Sequence, residues 1–160
     1  MKDIYSHIES NVDESIQQLF ELVRQPSISA QKVGFDTAPG LMKDLLERNG
    51  FEAFIIPVPN DGLPTVYGYM AASENPKTAP TLLFYCHYDV QPIDPLELWN
   101  TDPFEPTQIG DRLYGRGMSD DKGNIGARLA AIRAFVDERG GVPCNIKMFC
   151  EGEEESGSIN

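Results

Sequence analysis

The sequence is poor in cysteine and in basic residues. Its three cysteines, Cys86, Cys144 and Cys150, include no CxxC pair. This count disfavours a disulfide framework and a thiolate zinc site, and it predicts a reducing compartment, by default the cytoplasm. Only 13 residues are Lys or Arg against 25 Asp or Glu, which gives a formal net charge of -12. A chain this acidic is not expected to bind nucleic acid or an anionic membrane surface.

Long apolar runs and several common site motifs are also missing. No run approaches the length of a membrane span, and the start MKDIYSHIESN lacks the apolar segment of a signal peptide. There is no HExxH, GxSxG, phosphate-binding GxxxxGK[ST] or EF-hand pattern. Of the two histidines, His7 lies in the polar N-terminal segment and is predicted to be an exposed surface residue. His87 is therefore the histidine to examine for chemistry.

Helical and strand-like patterns alternate along the 160 residues. Apolar spacing predicts a helix that starts at Asp13 and is closed by Pro26, a second helix within residues 37–50, and a long helix from about Asp121 to Gly140. FEAFIIPV, TVYGYMAA, TLLFYC and NIKMFC are predicted strands, with TLLFYC as a buried central one. Strand, crossover helix and strand indicate the α/β class, with a layered, mixed and partly parallel sheet and flanking helices.

Three polar clusters lie where ligands bind in such sheets, beyond the carboxyl ends of strands. HYDVQP (residues 87–92) follows one predicted strand, and EGEEESGS (151–158) follows another. GRGMSDDKG (115–123) precedes the long helix. The three loops are therefore expected to line one crevice.

HYDVQP and GRGMSDDKG each allow a chemical and a structural interpretation. Side chains two apart in an extended segment face the same way, so Asp89 can orient the imidazole of His87 for a metal. A pair that only satisfies its own hydrogen bonds explains HYD equally well. Asp120 and Asp121 can be metal ligands or can cap the helix that follows them. Two carboxylates at this place exclude a dinucleotide-binding loop, because they would repel a pyrophosphate.

The glutamates of EGEEESGS raise the same question. A solvated acidic turn is the ordinary outcome for such a run. Adjacent carboxylates repel each other at a buried strand end, however, and a divalent cation would supply the counter-charge. One glutamate could then bind metal while its neighbour takes a proton from water.

Together, the three clusters resemble a known family. His87-Tyr88-Asp89, GRGMSDDKG and EESGS are similar, in order and spacing, to the site motifs of co-catalytic di-zinc metallopeptidases. That family includes carnosinases, bacterial dipeptidases, carboxypeptidase G and aminoacylases. HYDVQP, PFEP and LYGRG resemble the carnosinase-like dipeptidase branch. The resemblance covers essentially the whole chain and implies the N-terminal part of a zinc-peptidase catalytic domain.

The resemblance also implies a set of metal ligands. His87 matches a terminal ligand of one metal, Asp120 the carboxylate that bridges both metals, and Glu155 a ligand of the second metal. The implied cofactors are two divalent ions, zinc first, with manganese or cobalt as alternatives. A cis peptide bond after Asp120 is a frequent feature of the family.

The same resemblance implies the catalytic roles. Asp89 matches the carboxylate that orients His87, and Glu154 matches the general base. Glu151 and Glu153 fall on positions without an assigned role. The implied reaction is hydrolysis of the amide bond of a dipeptide or short peptide by a water that the two metals activate.

The chain departs from the family in extent. Members have a further acidic ligand downstream, a late histidine ligand and an inserted domain that dimerises and binds substrate, and none of these is found in the 160 residues. We therefore expect residues 1–160 to be the N-terminal portion of one catalytic domain whose parent is a homodimer. By itself the chain is expected to bind metal weakly, to be inactive and to leave a sheet edge uncovered. A burst of dipeptide hydrolysis from the purified chain would contradict this.

Three other functions stay open. An N-acyl-amino-acid deacylase of the same family would use the same residues on another substrate. A non-catalytic α/β module would bind only a partner. A metal-free hydrolase with paired carboxylates would resist chelators, but it leaves the His87–Asp89 pattern unexplained.

Overall fold

The computed structural model describes residues 2–160 and confirms the α/β class. Four α-helices form: α1 (Lys2–Ser10), α2 (Val12–Arg24), α3 (Ala38–Arg48) and α4 (Lys122–Arg139). The strands are β1 (Glu52–Ile56), β2 (Thr65–Met70), β3 (Thr81–His87), β4 (Thr107–Ile109), β5 (Arg112–Tyr114) and β6 (Asn145–Glu151).

The main sheet has four strands in the order β1-β2-β6-β3. The pairs β1–β2 and β2–β6 are antiparallel, whereas β3 and β6 are parallel. Helix α4 connects the two parallel strands, so β3, α4 and β6 form the predicted βαβ unit. Strands β4 and β5 form a separate antiparallel hairpin. Because β3 and β6 run in the same direction, their carboxyl ends lie at the same edge of the sheet.

The prediction that TLLFYC is a buried central strand is wrong for the described chain. Strand β3 pairs with β6 on one side, and within residues 2–160 no strand pairs with its other side. Leu83 is 59% exposed, and Leu82 and Tyr85 are also exposed. An apolar run shows that a strand is suited to burial, but it does not say how many neighbours the strand has. The exposed edge agrees with the expectation of an uncovered sheet edge.

The N-terminal segment also differs from its prediction. Residues 2–10 form α1, which packs against α4. His7 is partly buried, with its Nδ1 3.0 Å from Glu138 Oε1 and its Nε2 3.4 Å from Asp137 Oδ2. The expectation of an exposed His7 is therefore wrong, because its partners on α4 lie far away in the sequence. No helix in the described range is long and apolar enough to cross a bilayer.

The core lies between the main sheet and helices α2, α3 and α4. Cys86 and Cys150 face each other across β3 and β6, both buried, with their Sγ atoms 3.3 Å apart. The contact with Cys86 and the burial of the site raise the pKa of the Cys150 thiol. Both cysteines are therefore buried core residues, as the sequence predicted.

Lys122, at the first position of α4, is a buried lysine at the edge of this core. Its Nζ donates hydrogen bonds of 2.8 Å to the carbonyl oxygens of Leu22 and Gln25, at the end of α2. Burial lowers the pKa of Lys122 to about 7, and the negative charge of Asp89 partly offsets this. Lys122 thus links the start of α4 to the end of α2.

Replacing Lys122 by methionine should destabilise the chain. Lys122→Met keeps most of the side-chain volume but leaves two carbonyl oxygens without donors, so the free energy of unfolding should fall by about 2 kcal/mol. Urea denaturation measures this change. Lys77→Met, at an exposed lysine, is the control and should stay within about 0.5 kcal/mol of the wild type. An equal loss of stability in both variants would contradict the conclusion that the hydrogen bonds of Lys122 to Leu22 and Gln25 stabilise the fold.

Candidate metal centre

The structure brings all three polar clusters to one edge of the main sheet. β3 ends at His87 and β6 at Glu151, and these two residues are paired in the register of the parallel strands. The GRGMSDDKG loop leads into α4, which begins at Lys122 beside the same strand ends. The parallel pairing thus explains why segments far apart in the sequence meet at one place.

The three predicted metal ligands lie together. One ligand atom each from His87, Asp120 and Glu155 falls within 4.8 Å of the others. The Nε2 of His87 is 3.0 Å from Asp120 Oδ1. The side chain of Asp120 is 77% exposed and that of His87 only 7%, so the cluster opens to solvent on the carboxylate side. An imidazole nitrogen with two carboxylates is a donor set that suits zinc and other divalent transition metals.

Asp89 fixes the orientation of His87. The Nδ1 of His87 is 3.1 Å from the Asp89 carbonyl oxygen and 3.3 Å from its Oδ1. With Nδ1 donating to Asp89, Nε2 is directed at Asp120, as a metal-ligating imidazole requires. Burial lowers the pKa of His87, but the hydrogen bond and charge of Asp89, helped by Asp120 and Glu154, outweigh it and raise the pKa to about 9. A cation that binds Nε2 at neutral pH therefore displaces a proton.

Asp89 also holds the backbone of the glutamate loop, a role that the sequence did not reveal. Its side chain is fully buried. Oδ1 accepts a hydrogen bond from the Glu154 amide at 3.2 Å, and Oδ2 accepts one from the Glu155 amide at 3.0 Å. A single carboxylate thus orients the imidazole and positions the two glutamates.

The two glutamates occupy different environments, in keeping with different roles. Glu154 Oε2 lies 3.7 Å from His87 Nε2, so this partly exposed carboxylate borders the cluster without a hydrogen bond to the imidazole. Glu155 Oε2 accepts a 2.7 Å hydrogen bond from Gln91 Nε2, which also donates to the Glu155 carbonyl oxygen at 3.0 Å. Gln91 therefore orients Glu155, and it belongs to the HYDVQP cluster.

The neighbouring aspartates are also distinct. Asp120 faces the cluster, whereas Asp121 is buried and its Oδ2 accepts a 3.3 Å hydrogen bond from the backbone amide of His87. Asp121 precedes the first residue of α4 but makes no side-chain capping bond. Simple helix capping thus does not account for this pair. The peptide bond between them is cis, as the resemblance implied.

Two supporting residues, Glu153 and Gln91, are not predicted by the sequence. The sequence assigns no role to Glu153, yet it is buried and accepts backbone hydrogen bonds. Its signal in the sequence is weak, because it stands in a row of identical residues. Gln91 lies two residues after Asp89, and that spacing could have pointed to it.

Comparison with known proteins agrees with this geometry. Residues 83–160 match the profile of Peptidase family M20/M25/M40. The chain belongs to this family. It is 32% identical over 170 residues to the human Beta-Ala-His dipeptidase, an alignment that covers 99% of this chain and 34% of the relative. It is 31% identical over 140 residues to the succinyl-diaminopimelate desuccinylase of Rhodospirillum centenum, covering 88% of this chain and 35% of the relative.

A solved structure of the M20 family shows the same fold. The M20 family metallo-carboxypeptidase Sso-CP2 from Sulfolobus solfataricus superposes with a TM-score of 0.82 at 38% identity, covering 92% of this chain and 32% of that one. The chain thus spans about a third of the length of the M20 relatives that it matches. The M20 family implies divalent metal ions, and the donor set at the strand ends is one that could hold such an ion.

Proposed function

We propose that this chain supplies the first part of the di-metal centre of a peptidase that hydrolyses the amide bond of dipeptides or short peptides. The observation that carries the proposal is the meeting of His87, Asp120 and Glu155 within 4.8 Å. In the proposal His87 and Asp120 hold one cation, and Asp120 and Glu155 hold the other. Zinc is the preferred ion, with manganese or cobalt as alternatives.

Each residue of the site has its own chemical role in this proposal. The bound cations would act as Lewis acids and lower the pKa of water at the site. Asp89 keeps Nε2 of His87 directed into the cluster, and Gln91 keeps the carboxylate of Glu155 in place. Glu154, which borders the cluster, takes a proton from the attacking water. As the carbon–nitrogen bond breaks, Glu154 passes that proton to the leaving amine.

The number of ligands suggests that the site is completed by other residues. His87, Asp120 and Glu155 give each of two cations two protein ligands, and catalytic zinc typically has three. We therefore assign the remaining ligands and the substrate-binding residues to protein outside these 160 residues, and we expect this chain alone to bind metal weakly and to be inactive. The same proposal includes a homodimeric parent protein and a cytoplasmic location. The three free cysteines support the cytoplasmic location.

Metal analysis of an Asp120 variant tests the proposal. In the complete protein, Asp120→Ala should lose both cations, because its carboxylate would bridge them, and dipeptide hydrolysis should fall with the metal content. Elemental analysis after dialysis measures this loss. Ser119→Ala, at the exposed neighbouring residue, is the control and should keep its metal. Unchanged metal content in Asp120→Ala, or hydrolysis that resists a chelator, would contradict the proposal.

A deacylase is the second candidate, and the similarity to the desuccinylase of Rhodospirillum centenum favours it. The same ligands and base would then cleave the amide of an N-acyl amino acid. A panel of dipeptides, N-acetyl amino acids and N-succinyl amino acids separates the two by kcat/KM. A protein that binds metal but hydrolyses none of them would instead fit a binding module.

A further inference from the structure

Glu153 is a buried carboxylate close to the proposed metal centre that takes no part in the ligand set. Its residue exposure is only 6%. Oε2 accepts a 3.0 Å hydrogen bond from the backbone amide of Leu63, and Oε1 accepts one of 3.0 Å from the backbone amide of Asn160. Both carboxylate oxygens of Glu153 are therefore bound to backbone amide donors.

The partner of Glu153 belongs to the turn at residues 59–64, which joins β1 to β2. Two further contacts at Pro64 hold this turn in place, one from Tyr88 of the HYDVQP cluster and one from Gly152 of the glutamate loop. The hydroxyl of Tyr88 donates a hydrogen bond to the Pro64 carbonyl oxygen. A Cβ atom at Gly152 would lie 2.6 Å from that oxygen and 2.6 Å from the Tyr88 hydroxyl. Only glycine fits there, so the turn and the loop are in close contact beside Glu153.

We infer that Glu153 is a positioning residue that fastens the Glu154–Glu155 loop to the turn at residues 59–64. The inference rests on the proposed metal centre, since Glu155 is a proposed ligand and Glu154 the proposed base. The Asp89 carboxylate holds the amides of both glutamates from the side of His87. The side chain of Glu153, the residue before them, is bonded to the Leu63 amide in the turn, so the loop is fixed at two points.

The backbone of Glu153 adds to this fixation. Its carbonyl oxygen accepts hydrogen bonds from the amides of Ser156 at 3.2 Å and Ser158 at 3.0 Å. These bonds close the turn that contains Glu154 and Glu155. When the side chain of Glu153 no longer fixes this turn, the ligand set is still complete but Glu155 is less well placed. Metal affinity should therefore fall although no ligand is lost, as is found when partners of metal ligands are removed.

Glu153→Gln in the complete protein is the main test. Glutamine keeps the shape but places an NH₂ group where a carboxylate oxygen accepts from a backbone amide. Zinc affinity, measured by competition with a chromophoric chelator, should fall about 10-fold, and the visible spectrum of the cobalt-loaded protein should change. Glu151→Gln is the matched control. It removes the same charge at a position two residues from Glu153, and the carboxylate of Glu151 bonds to the Tyr85 hydroxyl instead of to the turn. Its zinc affinity and cobalt spectrum should match the wild type.

The outcomes separate this inference from the proposed function. If Glu153→Gln keeps wild-type zinc affinity while Asp120→Ala loses it, the positioning role is wrong and the metal centre stands. If Glu151→Gln loses as much affinity as Glu153→Gln, the effect is one of charge and the inference is also wrong. If Asp120→Ala binds zinc as the wild type does, both proposals fail. A lower melting temperature in Glu153→Gln with unchanged zinc affinity would show a merely structural role and overturn the inference.

Discussion

Replacing Glu154 by glutamine is expected to lower kcat of the complete protein by about 10² to 10⁴-fold and to leave its metal content unchanged. The carboxylate lies 3.7 Å from His87 Nε2 and makes no hydrogen bond to the imidazole, so it borders the ligand cluster without belonging to it. Glutamine has nearly the same shape but cannot accept a proton at neutral pH. The variant should therefore bind metal and peptide normally and fail at the proton transfer.

The adjacent Glu155 gives the contrasting variant. Glu155→Gln weakens a proposed ligand, so metal content should fall along with activity and excess zinc should restore part of the activity. Excess zinc should not restore Glu154→Gln. Elemental analysis and kcat at several zinc concentrations separate the two cases. If both variants lose metal equally, or if Glu154→Gln keeps more than a tenth of the wild-type kcat, Glu154 is not the base.

The sequence predicted most of the regular structure because the spacing of apolar residues is a local signal. Helices α2, α3 and α4 and the strands of the main sheet form close to the predicted positions. Helix α1 was not predicted because it is short and its apolar signal is limited to Ile4 and Ile8, which lie four residues apart. The edge position of β3 was missed because it depends on which strands pair with it, and the composition of one strand does not contain that information.

The site could be predicted to a similar extent, and for a similar reason. The resemblance of the three clusters to the family's site motifs implied His87, Asp120 and Glu155 as ligands, and the structure places these side chains together. The second function of Asp89 could not be predicted, because its hydrogen bonds reach amides 65 and 66 residues away. The burial of Glu153 depends on Leu63, 90 residues earlier. Contacts over such distances are set by the packing of loops, for which the sequence has no periodic pattern.

Replacing Asp89 is expected to have the widest effect on the site, because this carboxylate serves both halves of it. Asp89→Asn keeps the size of the side chain but loses the charge and places an NH₂ group against one of two backbone amides. Zinc affinity should fall about 10- to 100-fold, since the imidazole and the glutamate loop both lose support. Asp89→Ala should lose more affinity and also fold less stably. Asp111→Asn, at an exposed aspartate, is the control for the change of charge.

The titration of His87 shows whether Asp89 acts as described. The hydrogen bond and charge of Asp89 are the main influences that raise the pKa of His87 to about 9 against the effect of burial. In metal-free Asp89→Asn that pKa should therefore fall toward or below the ordinary value of 6.5, which NMR titration of the imidazole measures. A merely structural aspartate would change stability and leave this pKa in place. If the pKa stays near 9 while zinc affinity falls, Asp89 acts on the loop alone; if neither changes, its role in the centre is wrong.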